Sequence, residues 1–244
     1  MKFTTPNFVV AVFSLFLLAG CGGGGAAGGT AATTSAPTTF PLRQVITNLY
    51  ISGYQKSVTV GGTFNSGGAV YPVTGSLQLT ESPANVSSTF NGQSALQQSG
   101  SITGPMNVNN ETLNFANTGD AYLTTNYIPL GETGPNLYCV AKTAVPLPAT
   151  VIIGQTGPYV TSSCFTDSTM ATALETITTS FQIGAGISAT TATASVIDVV
   201  VNTANQQTET TQTNYIIDTS GNFSFQSINI IVTINGALLN ITAQ

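Results

Sequence analysis

Alternation of apolar and polar side chains over the last third of the chain is the feature that most limits its fold. Four segments show it, at 192–201, 208–217, 223–234 and 237–242. A period of two is typical of β-strands with one buried and one hydrated face. Asn235-Gly236 separates the last two segments, and Asn-Gly is a strong hairpin signal because both residues tolerate positive φ. The pattern predicts four successive strands, with the C-terminus tied into the sheet.

One of these segments changes its parity. Phe223 and Phe225 occupy odd positions, whereas Ile228 and Ile230 occupy even ones. A one-residue slip in a strand turns every following side chain to the other face. The change therefore predicts a β-bulge or a bend near Ser227.

The earlier part of the chain shows the same alternation from residue 42 onward, most clearly in 57–64 and 73–80. Asn91-Gly92 and Asn109-Asn110 predict tight turns. Residues 42–244 are therefore expected to form an all-β domain. Its antiparallel sheet would be built from hairpins, as a sandwich or a partly closed barrel.

Proline and glycine cluster in 129–164. Because proline removes a donor from the strand ladder, this region is predicted to be loop or edge strand. It also permits a division of the domain into two lobes, split near 130–165. Just beyond it, 168–175 fits a short helix, although the threonine density that follows favours a strand.

The N-terminus carries a different signal. Lys2 precedes an apolar run at 8–18, which is shorter than the ~20 residues of a membrane-spanning helix and suits a signal peptide. Leu18-Ala19-Gly20-Cys21 then resembles the lipobox of bacterial lipoproteins. The resemblance implies a signal peptide at 1–20 and an acylated Cys21. An ordinary secretory leader with a chance cysteine is the alternative.

The resemblance also implies where the protein resides. Residues 21–41 are rich in Gly, Ala and Thr and are expected to form a flexible, disordered tether between the lipid and the folded domain. In the enterobacterial sorting rule, a residue other than aspartate after the cysteine directs a lipoprotein to the outer membrane, and Gly22 fits that rule. The expected location is the cell envelope, with the membrane contacted through the lipid anchor.

With Cys21 assigned to lipid, Cys139 and Cys164 remain as a pair. An exported protein resides in a compartment that permits disulfides. We therefore expect a Cys139–Cys164 bond, and two free buried thiols are the alternative.

Charge is scarce, with 4 basic and 9 acidic residues and a net charge of −5. Nucleic-acid binding requires clustered Lys and Arg to neutralise phosphates, so a nucleic-acid partner is not expected. A protein or glycan partner is left open.

The composition also limits chemistry. The chain has no histidine and no tryptophan. The lack of histidine excludes the usual general base, the Ser-His-acid triad and His-metal sites. No calcium-loop or phosphate-loop motif is present, so no metal, no cofactor and no catalytic residue are predicted. Asp198 is the conspicuous acid, and it is expected on a hydrated strand face while Ile197, Val199 and Val201 face the core.

Three functions remain open. The first is a non-enzymatic, lipid-anchored envelope protein that acts in adhesion or envelope structure. The second is a carrier for an apolar ligand, an analogy that rests on the anchor and the β-rich composition. The third is a hydrolase that uses two carboxylates, which need to lie roughly 5–10 Å apart.

Overall fold

The structure is a computed structural model and describes residues 38–244. The lipobox, the signal peptide and the tether up to residue 37 lie outside the described residues. Within 38–244 there is one helix, α1 at Leu42–Ser52. The strands are β1 Tyr54–Ser66, β2 Ala69–Glu81, β3 Val86–Phe90, β4 Gln93–Val108, β5 Glu111–Leu123, β6 Pro129–Gly134, β7 Leu137–Ala144, β8 Thr156–Phe165, β9 Ala173–Ala185, β10 Thr191–Asn202, β11 Gln207–Asp218, β12 Phe223–Ile234 and β13 Ala237–Ala243.

The strands form one antiparallel sheet that closes on itself. From β4 to β13 each strand pairs with the next, β13 pairs with β1, β1 with β2, and β2 with the second half of β4. The result is a 12-stranded barrel, with β3 as an extra strand on β4. The predicted all-β, antiparallel, hairpin-built fold is confirmed, and the barrel is closed rather than partly closed.

The predicted turns and the bulge are also confirmed. Asn235 and Gly236 join β12 to β13 with φ values of 51° and 79°. Asn109 and Asn110 join β4 to β5 with φ values of 50° and 64°. In the β11–β12 pairing the register shifts so that Asn214 faces Ser227 while Tyr215 faces Phe225.

The apolar side chains of the alternating segments point into the barrel. Val58, Val60, Leu79, Ile230 and Ile241 all belong to one hydrophobic core. The outer wall carries mainly hydroxyl and amide side chains, such as Thr59, Thr74, Ser76 and Asn240. The C-terminus is held in the sheet by two backbone hydrogen bonds between Gln244 and Thr59.

Helix α1 closes one end of the barrel, and here the prediction of a β pattern from residue 42 onward is wrong. Its buried side chains, Leu42, Val45, Ile46, Leu49 and Tyr50, recur at helical spacing and join the barrel core.

Hydrogen bonds attach α1 to the loops at that end of the barrel. Asn48 donates to the carbonyl of Gly221, and Arg43 donates to the carbonyl of Leu147. The amide of Ala84 donates to the carbonyl of Tyr50. The helix is therefore connected to the β11–β12, β7–β8 and β2–β3 connections.

The proline-rich region also differs from its prediction. Instead of loop or edge strand alone, 129–164 contains β6, β7 and most of β8, each hydrogen-bonded on both sides. Pro129 stands at the start of β6 and Pro158 beside a register shift in β8, positions where a missing amide donor is tolerated. The sequence permitted a division into two lobes at this region. In the structure these strands belong to the same sheet as the other strands.

Residues just before α1 are part of the fold. Phe40, which the sequence assigned to the tether, is fully buried and forms a β-bridge with Val151. The ordered chain therefore begins ahead of residue 42. Further along, Ala173–Ala185 is a strand, as the threonine density favoured. Among the described residues, no helix has both the length and the hydropathy to cross a bilayer.

Candidate functional site

Acidic side chains project into the barrel, where most of the buried side chains are apolar. Their places follow from the strand register, which puts them on the same face as buried apolar neighbours. They are Glu81, Glu132, Glu175, Asp198 and Glu209. Basic side chains do not accompany them, since Arg43, Lys56 and Lys142 are the basic residues of 38–244 and all are exposed.

Asp198 is one of these interior acids, so its expected place on a hydrated face is wrong. It is 1% exposed and lies in register between Thr179 and Thr211. Thr179 donates a hydrogen bond of 2.7 Å to its carboxylate. Ile197 on the opposite face is also buried, at 3% exposure. Because both faces of β10 are buried here, hydrophobicity alone did not distinguish the inner from the outer face.

A cavity of about 70 Å³ lies below the last turn of α1. Two of the interior acids line it, Glu81 from the end of β2 and Glu132 from β6. Register shifts shape its wall, because one in β8 leaves Tyr159 and Val160 both facing the cavity. Such a volume holds a few water molecules or one small ion.

Phenol and amide groups complete the polar lining. The hydroxyls of Tyr50 and Tyr159 lie 3.4 Å apart, close enough for one hydrogen bond. Gln98 donates through Nε2 to the carbonyl of Ser82 at 2.9 Å. The hydroxyl of Tyr54 is buried, and the phenol of Tyr215 interacts with it. The cavity thus combines carboxylates with side-chain oxygens that can accept or donate.

Burial changes the protonation of these groups. It raises the pKa of Glu81 to about 8, which favours the neutral carboxyl at pH 7. Burial also raises the pKa of Tyr159 to about 12, against a smaller lowering by the hydrogen bond from Tyr50. An acid with a pKa near neutrality can hold or release a proton under physiological conditions.

A second group of acids lies further along the interior. Burial raises the pKa of Glu209 to about 7, a hydrogen bond from Thr211 opposes that shift, and the charge of Glu175 adds to it. The Thr211 hydroxyl lies 2.8 Å from the Glu209 carboxylate. One carboxylate oxygen of Glu175 is buried without a hydrogen-bond partner among the described residues.

Cys139 and Cys164 face each other on β7 and β8 and are joined by a disulfide in the structure. Both are fully buried. Glu132 lies near the two sulfur atoms, within 4.8 Å. Because the sulfurs are bonded to each other, they are not available as thiolate ligands for a metal ion.

The other expected site residue, Cys21, lies outside the described residues. The sequence did not single out Glu81 or Glu132. Glu81 had a usable signal, because it continues the odd-numbered inward series of Leu77 and Leu79. Glu132 had no such signal, since proline and glycine interrupt the apolar–polar alternation in 129–164.

Hydroxyl groups and one carboxylate line a shallow depression of about 440 Å³ on the outer wall over β2, β4 and β5. Ser99 donates to Asp120 there at 2.5 Å. Thr118 is exposed in the same depression. This depression is polar and open to solvent, whereas the cavity below α1 is buried.

Comparisons with protein-family models, with curated proteins and with solved structures found no match to this chain.

Proposed function

We propose that this chain is a lipid-anchored, non-enzymatic protein of the bacterial cell envelope, held in the outer membrane through Cys21. It acts through contacts made by the outer wall of its barrel, in adhesion or in envelope structure. The observation that carries the proposal is the filled interior of a closed barrel. A partner larger than a few water molecules can then contact only the outer wall and the loops.

Packing of the interior supports this restriction to the outside. Helix α1 covers one end of the barrel with five buried side chains. Among the apolar strand residues, the space around Leu77, Met106 and Ile241 has a volume of about 20 Å³. That is room for about one water molecule. The barrel therefore serves as a rigid support for the surface that it presents.

The outer depression is the surface at which we expect contact. Its hydroxyl groups suit a partner with many hydrogen-bonding groups, such as a glycan or a polar protein loop, because each contact replaces one made with water. Exposed hydroxyl side chains on a rigid sheet also lose little conformational freedom on binding.

Protease treatment of intact cells, combined with crosslinking, tests the surface assignment. We expect the barrel to be removed by protease from outside and to crosslink to a neighbouring envelope component. A Cys21→Ser variant should lose membrane attachment in the same cells. An isolated monomer, protected from protease and crosslinking to nothing, would rule out the surface-contact version.

A matched pair of substitutions tests the depression itself. Thr118→Arg places a bulky charge inside it, whereas Thr233→Arg places the same side chain on exposed β12 elsewhere on the outer wall. We expect the first to reduce crosslinking and cell attachment, and the second to leave both unchanged. Equal effects of the two variants would contradict a role for the depression.

The apolar-carrier function finds little support in the interior. An acyl chain would need far more than the space of about 20 Å³ among the apolar side chains. Such a carrier would have to open its barrel or displace α1. Mass spectrometry of the natively purified protein checks this, because a stoichiometric co-purified lipid would favour the carrier function.

Glu81 and Glu132 give the hydrolase a specific observation in its favour, since two carboxylates line one cavity. The volume of about 70 Å³ nevertheless accepts a few water molecules rather than a sugar ring. Hydrolysis of a panel of glycosides by the wild-type protein, abolished by Glu81→Gln, would support this function. No hydrolysis of any of them would count against it.

A further inference from the structure

Four large apolar side chains are exposed on two loops at the α1 end of the barrel. Val145, Ile152 and Ile153 belong to the β7–β8 connection, and Ile187 belongs to the β9–β10 connection. Their exposed fractions range from 38% to 87%. We call these four residues the apolar loop patch. Single exposed apolar residues are ordinary, but several on adjacent loops are typical of a surface that contacts another molecule.

Backbone hydrogen bonds hold the two loops side by side. The amide of Gly154 donates to the carbonyl of Ile183 at 2.7 Å, and the amide of Ile183 donates to the carbonyl of Gln155 at 2.9 Å. Strand β9 ends two residues after Ile183, at Ala185, and the chain then leads into Ile187. The apolar loop patch is therefore one continuous part of the surface.

The chain that precedes the barrel joins it beside this patch. Phe40 is fully buried and forms a β-bridge with Val151, which Ile152 follows directly. Residues 22–37 separate Cys21 from the first described residue. A lipid on Cys21 is therefore connected to the barrel at the end that carries the apolar loop patch.

Basic side chains flank the patch. Arg43 is exposed on the first turn of α1 and donates through Nε to the carbonyl of Leu147, within the β7–β8 connection. Lys142 is exposed two residues before the end of β7, which leads into the same connection. On the β11–β12 turn, the half-buried carboxylate of Asp218 accepts hydrogen bonds from Asn222. Apolar side chains with Lys and Arg beside them suit a lipid surface, which offers an apolar interior below a layer of phosphates.

The opposite end of the barrel differs in polarity and in charge. Its turns include Asn109-Asn110 and Asn235-Gly236. Glu111 and Asp167, which are the exposed acids of 38–244, also lie at that end. Anionic lipids would repel these carboxylates, so the two ends of the barrel are not equivalent towards a membrane.

We propose that the apolar loop patch contacts the surface of a phospholipid bilayer, with its side chains among the lipid headgroups and Arg43 and Lys142 beside the phosphates. This inference rests on the proposed anchor at Cys21 and adds a second membrane contact, which orients the barrel. The patch belongs to the loops of β7–β10, whereas the outer depression lies over β2, β4 and β5 on a different side of the barrel. The depression therefore stays accessible in this orientation.

The test uses the full-length protein extracted from membranes and reconstituted into vesicles of phosphatidylethanolamine and phosphatidylglycerol. A polarity-sensitive fluorophore is attached through Ile187→Cys or, as the control, through Val70→Cys. Val70 is 66% exposed near the start of β2, at the opposite end of the barrel. Half of the vesicles also contain a nitroxide-labelled lipid as a quencher. We expect blue-shifted emission and quenching by lipid at position 187, and neither at position 70.

Substitutions assign the contact to the patch. Ile152→Ser combined with Ile153→Ser removes two of its apolar side chains, and both residues are exposed, so the variant should fold. We expect it to lose most of the quenching at position 187, because less apolar surface enters the headgroup layer. Ile231→Ser combined with Leu238→Ser changes exposed apolar residues of β12 and β13 and should leave that quenching intact.

Flotation of the vesicles separates this contact from the anchor. If the protein floats with the vesicles but position 187 is not quenched, or is quenched no more than position 70, the anchor stands and the proposed contact is overturned. A label at position 187 that is shielded from aqueous iodide but not quenched by lipid would place a second copy or another protein on the patch, which also overturns it. A protein that does not float would contradict the anchor and this contact together.

Discussion

Tyr54 and Glu81 are register partners on β1 and β2, and both side chains line the cavity below α1. Burial raises the pKa of the Tyr54 phenol, and the nearby Tyr215 and Glu81 add to that shift. The pair therefore places two weak acids in a space with little water. Their protonation is coupled to folding, because the unfolded chain exposes both to solvent.

The stability of the protein should fall as pH rises from about 5 to 8. The pKa of Glu81 is raised from 4.5 to about 8, and that of Glu209 from 4.5 to about 7. The folded state thus binds more protons than the unfolded state in this window. Each group changes the free energy of unfolding by about 1.4 kcal/mol per pH unit between its two pKa values.

Urea unfolding at several pH values measures this effect. Glu81→Gln cannot ionise and should flatten the dependence between pH 7 and 8, where Glu81 dominates. Glu111→Gln serves as the exposed control and should leave the slope unchanged. Wild-type stability that increases over this pH range would contradict the assigned protonation states.

Helix α1 should contribute strongly to stability through its buried face. Ile46 is 3% exposed and Ile51 is 52% exposed on the same helix. We expect Ile46→Ala to reduce the free energy of unfolding by about 2–5 kcal/mol, because it leaves a cavity in the core. Ile51→Ala, the same chemical change, should cost less than about 1 kcal/mol. Equal losses in urea unfolding would show that α1 does not pack as described.

Loss of the Cys139–Cys164 bond should destabilise the barrel. The two cysteines are 25 residues apart, and closing a loop of that length stabilises the folded state by about 3–4 kcal/mol in the chain-entropy model. We expect a Cys139→Ala, Cys164→Ala double variant to unfold at lower urea concentration. Adding a reductant should destabilise the wild type and leave this variant unaffected. A wild type whose stability is unchanged by reduction would contradict the prediction.

Backbone conformation at the β12–β13 turn gives a further prediction. Gly236 has φ of +79°, whereas Gly61 lies in β1 without positive φ, and a Cβ would meet nothing within 4 Å at either position. Gly236→Ala should therefore cost about 1–2 kcal/mol from backbone strain alone. Gly61→Ala should be neutral or slightly stabilising. Thermal unfolding of the two variants measures this difference. A Gly236→Ala variant as stable as the wild type would count against the assigned turn.

The sequence was informative wherever one strand face is buried and the other is wet. The alternation in β12 and β13, the Asn235-Gly236 turn and the parity change near Ser227 correctly predicted these strands, their hairpin and the register shift. Closure of the barrel could not be predicted in the same way, because it depends on the pairings of β1 with β13 and of β2 with β4. These pairings join strands that are not consecutive in the chain. No local pattern specifies such contacts.

Local patterns misled where two signals overlapped. Leu42, Val45, Ile46 and Leu49 have helical spacing, but the strands that follow favoured a β interpretation from residue 42. Asp198 was assigned to the wrong face because its strand is buried on both sides. Burying a carboxylate is costly without a partner or a proton. Acids in the barrel interior were therefore not expected, and their presence there indicates a specific environment.

The proposed lipid anchor at Cys21 is tested most directly by the intact mass of the protein extracted from membranes. We predict a chain that begins at Cys21, with a mass higher than that of residues 21–244 by a diacylglyceryl group and an N-terminal acyl chain. A Cys21→Ser variant should lack this added mass and leave the membrane fraction. A wild-type protein of unmodified mass, or one that begins at another residue, would contradict the anchor.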